Sequence, residues 1–458
     1  MKDNNITRRD FLKTAGIAAA AATVAACTSK GKAGSSQTDG LGEMTLRKNN
    51  KGEDIAILGY GCMRWPTFPP DENGQKEIDQ EAVNAMVDYA IEHGVTYFDT
   101  APIYLQGKSE AATGLALKRH PRESFTIATK LSTQRGEPTR ERSLKMYYAS
   151  FENLQVDYID YYLLHSIGGG DDPMAKLKER FFDNGVLDFL VEERKAGHIR
   201  NLGWSFHGDV RVFDYMLSLH DQGKYIWDFV QIQMNYIDWK NAHTRDEEEV
   251  NAEYMYNELA KRGIPVVIME PLLGGALAHI NDHFAEQLLT REPQKSIASW
   301  AFRFCGTHPG VMCVLSGMTY MENLVDNVST YSPLKPLNEE ELAILEDIAQ
   351  EYVKYPLIPC TACQYCMPCP YGINIPAVFA HYNKCLNEGF INEDTQSEQY
   401  RKARRAYLIS LDRNVETIRQ ANHCIGCGQC ISSCPQHIAI PSQMRRIDIY
   451  TEKLKRNG

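Results

Sequence analysis

Eight of the thirteen cysteines in this 458-residue chain lie in two short runs. The first run is Cys360-x2-Cys363-x2-Cys366-x2-Cys369-Pro370, and the second is Cys424-x2-Cys427-x2-Cys430-x3-Cys434-Pro435. Thiolates two residues apart on a tight turn can each bind a different iron of one cubane, while a more distant cysteine binds the fourth iron. The two runs therefore predict two [4Fe–4S] clusters.

Zinc and disulfides are the alternative uses of these cysteines. Cys-x2-Cys pairs also bind zinc, and exported proteins often form disulfides. Four evenly spaced cysteines followed by proline, occurring twice, favour clusters over zinc, and the short spacing favours metal over a bridge. The second run has the spacing of bacterial ferredoxins. In the two-cluster ferredoxins that the pattern resembles, the fourth ligand comes from the other run, which implies the sets Cys360, Cys363, Cys366, Cys434 and Cys424, Cys427, Cys430, Cys369.

A second group of reactive side chains follows three consecutive predicted strands. Asp99 and Tyr104 follow one strand, Lys130 ends the next, and His165 ends the third. Strand and helix patterns alternate eight times, which is typical of an α/β protein with a closed (β/α)8 barrel whose active site lies at the C-terminal strand ends. Ahead of the first strand, the turn-rich residues 49–52 predict a β-hairpin that closes the bottom of the barrel.

Roughly residues 44–330 resemble the aldo/keto reductase family. The most specific part of the resemblance is these four residues in this order, which match the family's catalytic set. The resemblance implies that Tyr104 is the general acid that protonates a carbonyl oxygen as hydride reaches its carbon. Lys130, paired with Asp99, would stabilise the phenolate, because an unaided phenol is a reluctant donor at neutral pH. His165 would orient the carbonyl. Singly, Asp99 is equally a salt-bridge partner and His165 a core histidine, but their joint placement favours catalysis.

The same resemblance implies a nicotinamide site in the barrel. Ser205 and Gln231 match positions that hold the carboxamide, and Asp326 and Asn327 match part of the segment that binds the adenosine phosphate. Met269 stands where the family has a tyrosine that stacks on nicotinamide.

Other cofactor positions depart from the family pattern. Phe206 replaces an asparagine, and Gly317 and Asn323 stand where the family commonly has lysine and arginine. A ribose 2′-phosphate would lose cationic partners there. NADH is therefore indicated at least as strongly as NADPH, and a flavin is a further alternative.

The first residues predict export. Thr7-Arg8-Arg9-Asp10-Phe11-Leu12-Lys13 precedes an alanine-rich run that ends at Cys27. This resembles a bacterial twin-arginine signal with a lipoprotein-type cleavage site. We expect export by the twin-arginine route to the periplasm or to a membrane, with Cys27 as the lipid-anchored residue. Because that route carries folded proteins, it suits a protein whose clusters are inserted before export.

Composition and pattern define the remaining expectations. The chain is 43% hydrophobic with a formal net charge of −10, so it can build a large core and is not expected to bind nucleic acid. The predicted order is signal 1–27, linker 28–43, barrel 44–331, connecting helix 332–356, a small α-helical ferredoxin-type domain 357–445, and tail 446–458. Residues 375–420 look helical and polar and are expected to separate the cysteine runs without forming a core. A basic group is interpreted as a solvated helix face, or as a docking site for an acidic partner: Arg401, Lys402, Arg404, Arg405, Arg445 and Arg446.

The leading functional hypothesis is an oxidoreductase that reduces, or forms, a small-molecule carbonyl and uses the clusters for electron transfer. Hydride transfer moves two electrons together whereas a cluster carries one, so a flavin or a redox partner protein would be needed between them. The alternatives are an electron-transfer protein with a catalytically lapsed barrel as scaffold, and a barrel enzyme whose clusters are structural. Substrate specificity is expected in residues 166–181 and 237–249.

Overall fold

Eight parallel strands form a closed barrel in the computed structural model, which describes residues 41–69, 76–133, 136–242, 250–355 and 357–456. Each barrel strand pairs with the next one in the chain, and the last strand closes the barrel against the first. The barrel strands are buried on both faces and are accordingly rich in Val, Ile and Leu. The strands are β1 Leu46–Lys48, β2 Asp54–Ala56, β3 Leu58–Gly61, β4 Tyr97–Asp99, β5 Thr126–Leu131, β6 Ile159–Ile167, β7 Ile199–Phe206, β8 Phe229–Gln233, β9 Val266–Met269 and β10 Val311–Ser316.

Helices follow the strands and continue into the C-terminal region. Short 3₁₀ turns lie at Cys62–Arg64, Tyr104–Gly107, Arg122–Ser124, Leu273–Ala278, Thr417–Arg419 and Ala421–His423, and a π-helical turn lies at Lys178–Phe182. The α-helices are α1 Gln80–Glu92, α2 Ser109–Leu117, α3 Arg140–Leu154, α4 Pro173–Leu177, α5 Val186–Ala196, α6 Val210–Asp221, α7 Asp238–Asn241, α8 Ala252–Lys261, α9 Asp282–Arg291, α10 Ile297–Thr307, α11 Met321–Tyr331, α12 Glu339–Tyr352, α13 Ile375–Asn387, α14 Tyr400–Asn414 and α15 Ile440–Arg456.

The predicted hairpin is present and lies against the N-terminal end of the barrel. β1 and β2 pair in antiparallel register, with Leu46 opposite Ala56. Asn49 shapes the turn, since its Oδ1 accepts from the backbone N–H groups of Lys51 and Glu53, each at 2.9 Å. Its Nδ2 donates to the hydroxyl of Tyr161, at 3.0 Å, near the start of β6. Residues from inside the barrel form a separate core with the hairpin: Ile55, Tyr97, Ala128, Tyr161, Leu163, Phe229, Val267, Met312, Cys313 and Leu315.

Residues after the barrel form a second hydrophobic core, contrary to the expectation that 375–420 would only separate the cysteine runs. Helices α13, α14 and α15 bury Phe379, Tyr407, Leu411, Met444 and Ile447 against one another. The expectation was wrong because the apolar stripe on α14 is narrow. One apolar residue per turn faces inward there, and arginines and lysines fill the other faces.

The predicted tail 446–458 is not a separate segment over the described residues. Positions 446–456 continue α15, and Ile447, Tyr450 and Leu454 pack into the second core.

The basic group lies on α14 and α15. There Arg404 donates to the carbonyl of Leu454 at 2.5 Å, and Arg446 lies 4.9 Å from the ring centre of Tyr382.

Several expectations concern residues outside the described ranges: the signal 1–27 with Cys27, the linker up to residue 40, and most of the specificity segment 237–249. Among the helices that are described, none combines the length and apolar character needed to span a bilayer.

Candidate active site

The four predicted catalytic side chains meet at the C-terminal ends of β4, β5 and β6, and all four are buried. Lys130 Nζ donates to Asp99 Oδ1 at 2.5 Å and to the carbonyl of Thr100 at 2.8 Å. The same ammonium lies 4.9 Å from the ring centre of Tyr104. The rings of Tyr104 and His165 meet edge to face with their centres 5.9 Å apart. The structure therefore brings together all four residues.

The turn that presents Tyr104 has an unusual backbone. Leu105 and Gln106, which follow it, have φ values of 50° and 59°, in the left-handed region that non-glycine residues seldom adopt. Such strain is held by surrounding structure and concentrates at functional sites. Here the two left-handed residues lie between Tyr104 and the start of α2 at Ser109.

Burial controls the protonation of the two acidic groups. It raises the pKa of Asp99 even though the Lys130 ammonium opposes the rise, and Asp99 Oδ2 has no hydrogen-bond partner among the described residues. Burial also raises the pKa of Tyr104 well above its usual value, with Tyr365 and Asp99 adding to the rise. Tyr104 therefore keeps its proton at neutral pH, as a proton donor must.

His165 is held as a neutral imidazole. Burial lowers its pKa well below the usual value, and the charges of Lys130 and Arg180 lower it further. Its Nδ1 lies 2.5 Å from the hydroxyl of Ser132, and the Arg180 guanidinium donates to the backbone carbonyls of His165 and Ser166. Ser132 and Arg180 were missed from sequence. Ser132 follows Lys130 by two residues and so was open to detection, whereas Arg180 comes from a distant turn and carries no local signal.

A cavity of about 230 Å³ lies over these strand ends. The four residues line it, as do Ser205, Gln231 and Met269. Gln231 Oε1 is buried there without a hydrogen-bond partner among the described residues, and Ser205 Oγ accepts from the backbone N–H of Ser166 at 2.7 Å. An unsatisfied carboxamide oxygen is costly to bury, and a ligand amide would satisfy it.

The predicted adenosine-phosphate residues lie farther out, since Asp326 and Asn327 are not among the described residues lining the cavity. Asp326 Oδ2 accepts from the hydroxyl of Ser296 at 2.6 Å. Asn327 Nδ2 donates to the hydroxyl of Ser316 at 2.8 Å, and Ser316 itself lines the cavity.

Gly317, also in the cavity wall, has no room for a longer side chain. A Cβ at this position would lie 2.8 Å from Cδ of Arg64. The Arg64 side chain therefore occupies the space that a lysine at 317 would need, and its Nη2 donates to the carbonyl of Thr361 at 2.5 Å.

A second, smaller cavity is lined by Cys360, Cys363, Cys366 and Cys434. Burial raises the pKa of the first three, to about 11, 12 and 12, and the nearby Cys434 adds to the rise at each. The rest of the wall is mainly apolar: Ile375, Pro376, Phe379, Ile438 and Ile440. Four thiols around a space in an apolar shell fit an iron–sulfur cluster.

The remaining four cysteines of the runs form a matching group. The pKa of Cys430 is raised to about 11 by burial and by the neighbouring Cys427, Cys369 and Cys424. Cys427 is exposed. Each group thus includes one cysteine from the other run. Among the described residues, no three Cys, His, Asp or Glu side chains converge closely enough to hold a single metal ion.

The first cysteine run lies over the open end of the barrel. A Cβ on Gly274 would lie 2.3 Å from Cα of Thr361, so the loop backbone packs directly on that glycine. Gln436 Nε2 donates to Gln233 Oε1 at 3.0 Å. Cys363, Tyr365 and Pro435 line the barrel cavity, and the hydroxyls of Tyr104 and Tyr365 are hydrogen-bonded to each other. Sequence reasoning missed Tyr365, because nothing local links a tyrosine in a cysteine run to the barrel.

Four further cysteines lie within hydrophobic cores. Cys62, Cys305, Cys313 and Cys385 are buried among apolar residues, as small hydrophobic side chains often are.

Comparison with solved structures supports the fold. An aldo-keto reductase from Bacillus halodurans is 23% identical, with a TM-score of 0.50, over 67% of this chain and 96% of its own. An aldo-keto reductase from Klebsiella pneumoniae, solved in complex with NADPH, is 20% identical, with a TM-score of 0.51, over 67% and 95%.

Curated relatives and family profiles extend the comparison. Protein tas of Escherichia coli is 26% identical over 66% of this chain and 96% of its own length. A probable aldo-keto reductase 1 of Glycine max is 30% identical over 34% of this chain, and this chain spans only 43% of that relative. Residues 5–25 match the twin-arginine translocation pathway signal sequence and residues 359–439 match the 4Fe-4S dicluster domain. Residues 58–350, well over half of the chain, match the aldo/keto reductase family, and the chain therefore belongs to that family of oxidoreductases.

Proposed function

We propose that this protein reduces a carbonyl compound to an alcohol in the barrel, and that its two clusters connect the site to a one-electron redox partner. The observation that carries the proposal is the joint geometry of the four residues at the strand ends. Lys130 is paired with Asp99, and its ammonium lies 4.9 Å from the ring centre of Tyr104. The ring of Tyr104 in turn contacts the ring of His165 edge to face. A barrel kept only as a scaffold would have no reason to retain this arrangement.

Tyr104 is the proton donor in this proposal. The phenol is protonated at neutral pH, as protonation of a carbonyl requires, but its raised pKa makes it a weak acid, so proton transfer depends on stabilisation of the phenolate. The buried Lys130 ammonium lies close enough to stabilise the phenolate that forms as the proton leaves. Asp99 keeps that ammonium charged inside the barrel.

His165 orients the substrate in this proposal. Neutral imidazole has one N–H, and its position is decided by the partner of the other nitrogen. The Ser132 hydroxyl lies 2.5 Å from Nδ1, and we infer that it donates to this nitrogen, which leaves the hydrogen on Nε2. That N–H then donates to the carbonyl oxygen that Tyr104 protonates.

Gln231 and Ser205 would hold the carboxamide of a nicotinamide nucleotide, which supplies hydride when bound. The unsatisfied Oε1 of Gln231 in the cavity supports this assignment. The Klebsiella structure holds NADPH. Position 317 is glycine in this chain and supplies no cation to a 2′-phosphate. Arg64 fills the space beside Gly317 and already donates to the carbonyl of Thr361. NADH is therefore proposed to bind at least as well as NADPH.

The proposed cluster ligands are two sets of four cysteines. One set is Cys360, Cys363, Cys366 and Cys434, and the other is Cys424, Cys427, Cys430 and Cys369. The mutual influence of these thiols on one another's pKa supports the exchange of one cysteine between the runs. Cys27 is proposed as a lipid anchor after twin-arginine export.

The test begins with the mature protein, expressed anaerobically and assayed for iron, acid-labile sulfide, nucleotide binding and aldehyde reduction. We expect about eight irons and eight sulfides, binding of NADH or NADPH, and a turnover number that falls roughly 10²- to 10⁴-fold in Tyr104→Phe. Full clusters in a barrel that binds neither nucleotide would instead indicate an electron-transfer scaffold. Zinc in place of iron would refute the cluster assignment.

A further inference from the structure

The loop that carries three cysteines of the first set also supplies a wall of the barrel cavity. Tyr365 lies between Cys363 and Cys366, is half-buried, and lines the cavity with Tyr104. Its hydroxyl is hydrogen-bonded to that of Tyr104, the group that a substrate carbonyl must reach. A residue outside the barrel thus occupies a hydrogen-bonding position on the proton donor.

The backbone holds Tyr365 in this position. Ala362 and Gln364 have φ values of 53° and 65°, so two left-handed residues bracket Cys363. The loop is also tied to the barrel, because Arg64 donates to the carbonyl of Thr361 and the backbone at Thr361 packs on Gly274. Tyr365 is joined through this constrained backbone to Cys363 and Cys366, so any shift of its backbone also shifts the peptide between two cysteines of the first set.

We propose that Tyr365 competes with the substrate for Tyr104, and that a carbonyl oxygen must replace its hydroxyl as the hydrogen-bond partner of Tyr104. Displacement of Tyr365 is transmitted to the adjacent cysteines, so the first cluster site senses occupancy of the barrel. This inference rests on the proposed function for its substrate, but the coupling between the two tyrosines is independent of turnover.

The first experiment measures that coupling without substrate. Electron paramagnetic resonance spectra would be recorded for the dithionite-reduced, cluster-loaded protein. We expect Tyr104→Phe, a change inside the barrel, to alter the cluster signal when it is introduced into the wild-type protein. The same substitution should leave the cluster signal unchanged when it is introduced into the Tyr365→Phe variant. Tyr371→Phe is the matched control, since Tyr371 is an exposed tyrosine beside Cys369 of the other set, and it should leave the response to Tyr104→Phe intact. Benzyl alcohol, added without nucleotide, should change the wild-type signal and leave that of Tyr365→Phe unaltered.

The second experiment uses benzaldehyde reduction. Because Tyr365→Phe removes the competing hydroxyl, KM should fall about two- to tenfold, the worth of one net hydrogen bond, while kcat stays within about twofold. Tyr371→Phe should leave both constants unchanged.

The two experiments separate the two ideas. A cluster signal that responds to Tyr104→Phe in a protein that reduces no aldehyde would refute the proposed function and support the role of Tyr365. Aldehyde reduction with an unchanged KM in Tyr365→Phe, together with a cluster signal indifferent to Tyr104→Phe, would overturn the role of Tyr365 and leave the proposed function standing.

Discussion

Replacing Lys130 by methionine tests the electrostatics of the site most directly. The side chains of Lys130 and Asp99 are 1% and 3% exposed, and Asp99 Oδ2 has no partner among the described residues. In Lys130→Met the Asp99 carboxylate would lose the buried ammonium that is paired with it. Removing one member of a buried pair costs about 3–5 kcal/mol. At roughly 2 °C per kcal/mol for a domain of this size, the unfolding midpoint should fall by about 6–10 °C at pH 8.

The loss should depend on pH with a definite sign. Burial already raises the pKa of Asp99, and removal of the ammonium raises it further. An acid whose folded-state pKa lies above its unfolded value, about 3.9, is most favourable to the fold at low pH. Its contribution is lost as pH rises through the folded-state pKa. The deficit of Lys130→Met should therefore be smaller at pH 5 than at pH 8.

The assay is thermal unfolding of the cluster-loaded proteins, followed by circular dichroism at one scan rate because such unfolding is often irreversible. The matched control is the double variant Asp99→Asn with Lys130→Met, which removes both charges and should recover part of the midpoint. Iron content must be equal in all samples. A deficit below about 2 °C at pH 8, or an equal deficit at both pH values, would refute the argument that Asp99 is an uncompensated buried charge in the variant.

Three further outcomes are expected. Ser132→Ala should lower kcat/KM about tenfold and leave iron content unchanged, because His165 would lose the donor that sets its tautomer; unchanged kinetics would contradict this role. Gln231→Leu should weaken nicotinamide nucleotide binding about fivefold or more, measured by fluorescence titration, and equal affinity would place the carboxamide elsewhere. Cys434→Ser should change the spectroscopic signal of one cluster and Cys369→Ser that of the other, whereas a shared signal change would argue against the exchange of ligands between the two runs.

Local pattern accounts for much of this protein. The eight strands were predictable because most are short runs rich in β-branched, aliphatic or aromatic residues that are buried on both faces. The proposed catalytic residues Asp99, Lys130 and His165 stand at or near the ends of three of them. A barrel gathers its strand ends by geometry alone, so their proximity followed from the count of strands. Two cysteine runs with regular spacing likewise predicted clusters without any contact information.

The second core was harder to foresee. The buried residues of α14 form a stripe one residue wide, made of Tyr400, Ala403, Tyr407 and Leu411. Because charged residues surround this stripe, the helix as a whole has a polar composition. Only the packing of α13 and α15 against that stripe shows that it is buried.

The contact between the cysteine loop and the barrel depended entirely on tertiary structure. The hydrogen bond between Tyr104 and Tyr365, the seating of Thr361 on Gly274, and the bond from Gln436 to Gln233 join residues far apart in the chain. No periodicity or spacing encodes such contacts, because they arise from how two hydrophobic cores meet. The residue types needed for catalysis and for clusters can thus be read from the chain, whereas their arrangement around one shared cavity is decided by docking of the C-terminal helices on the barrel.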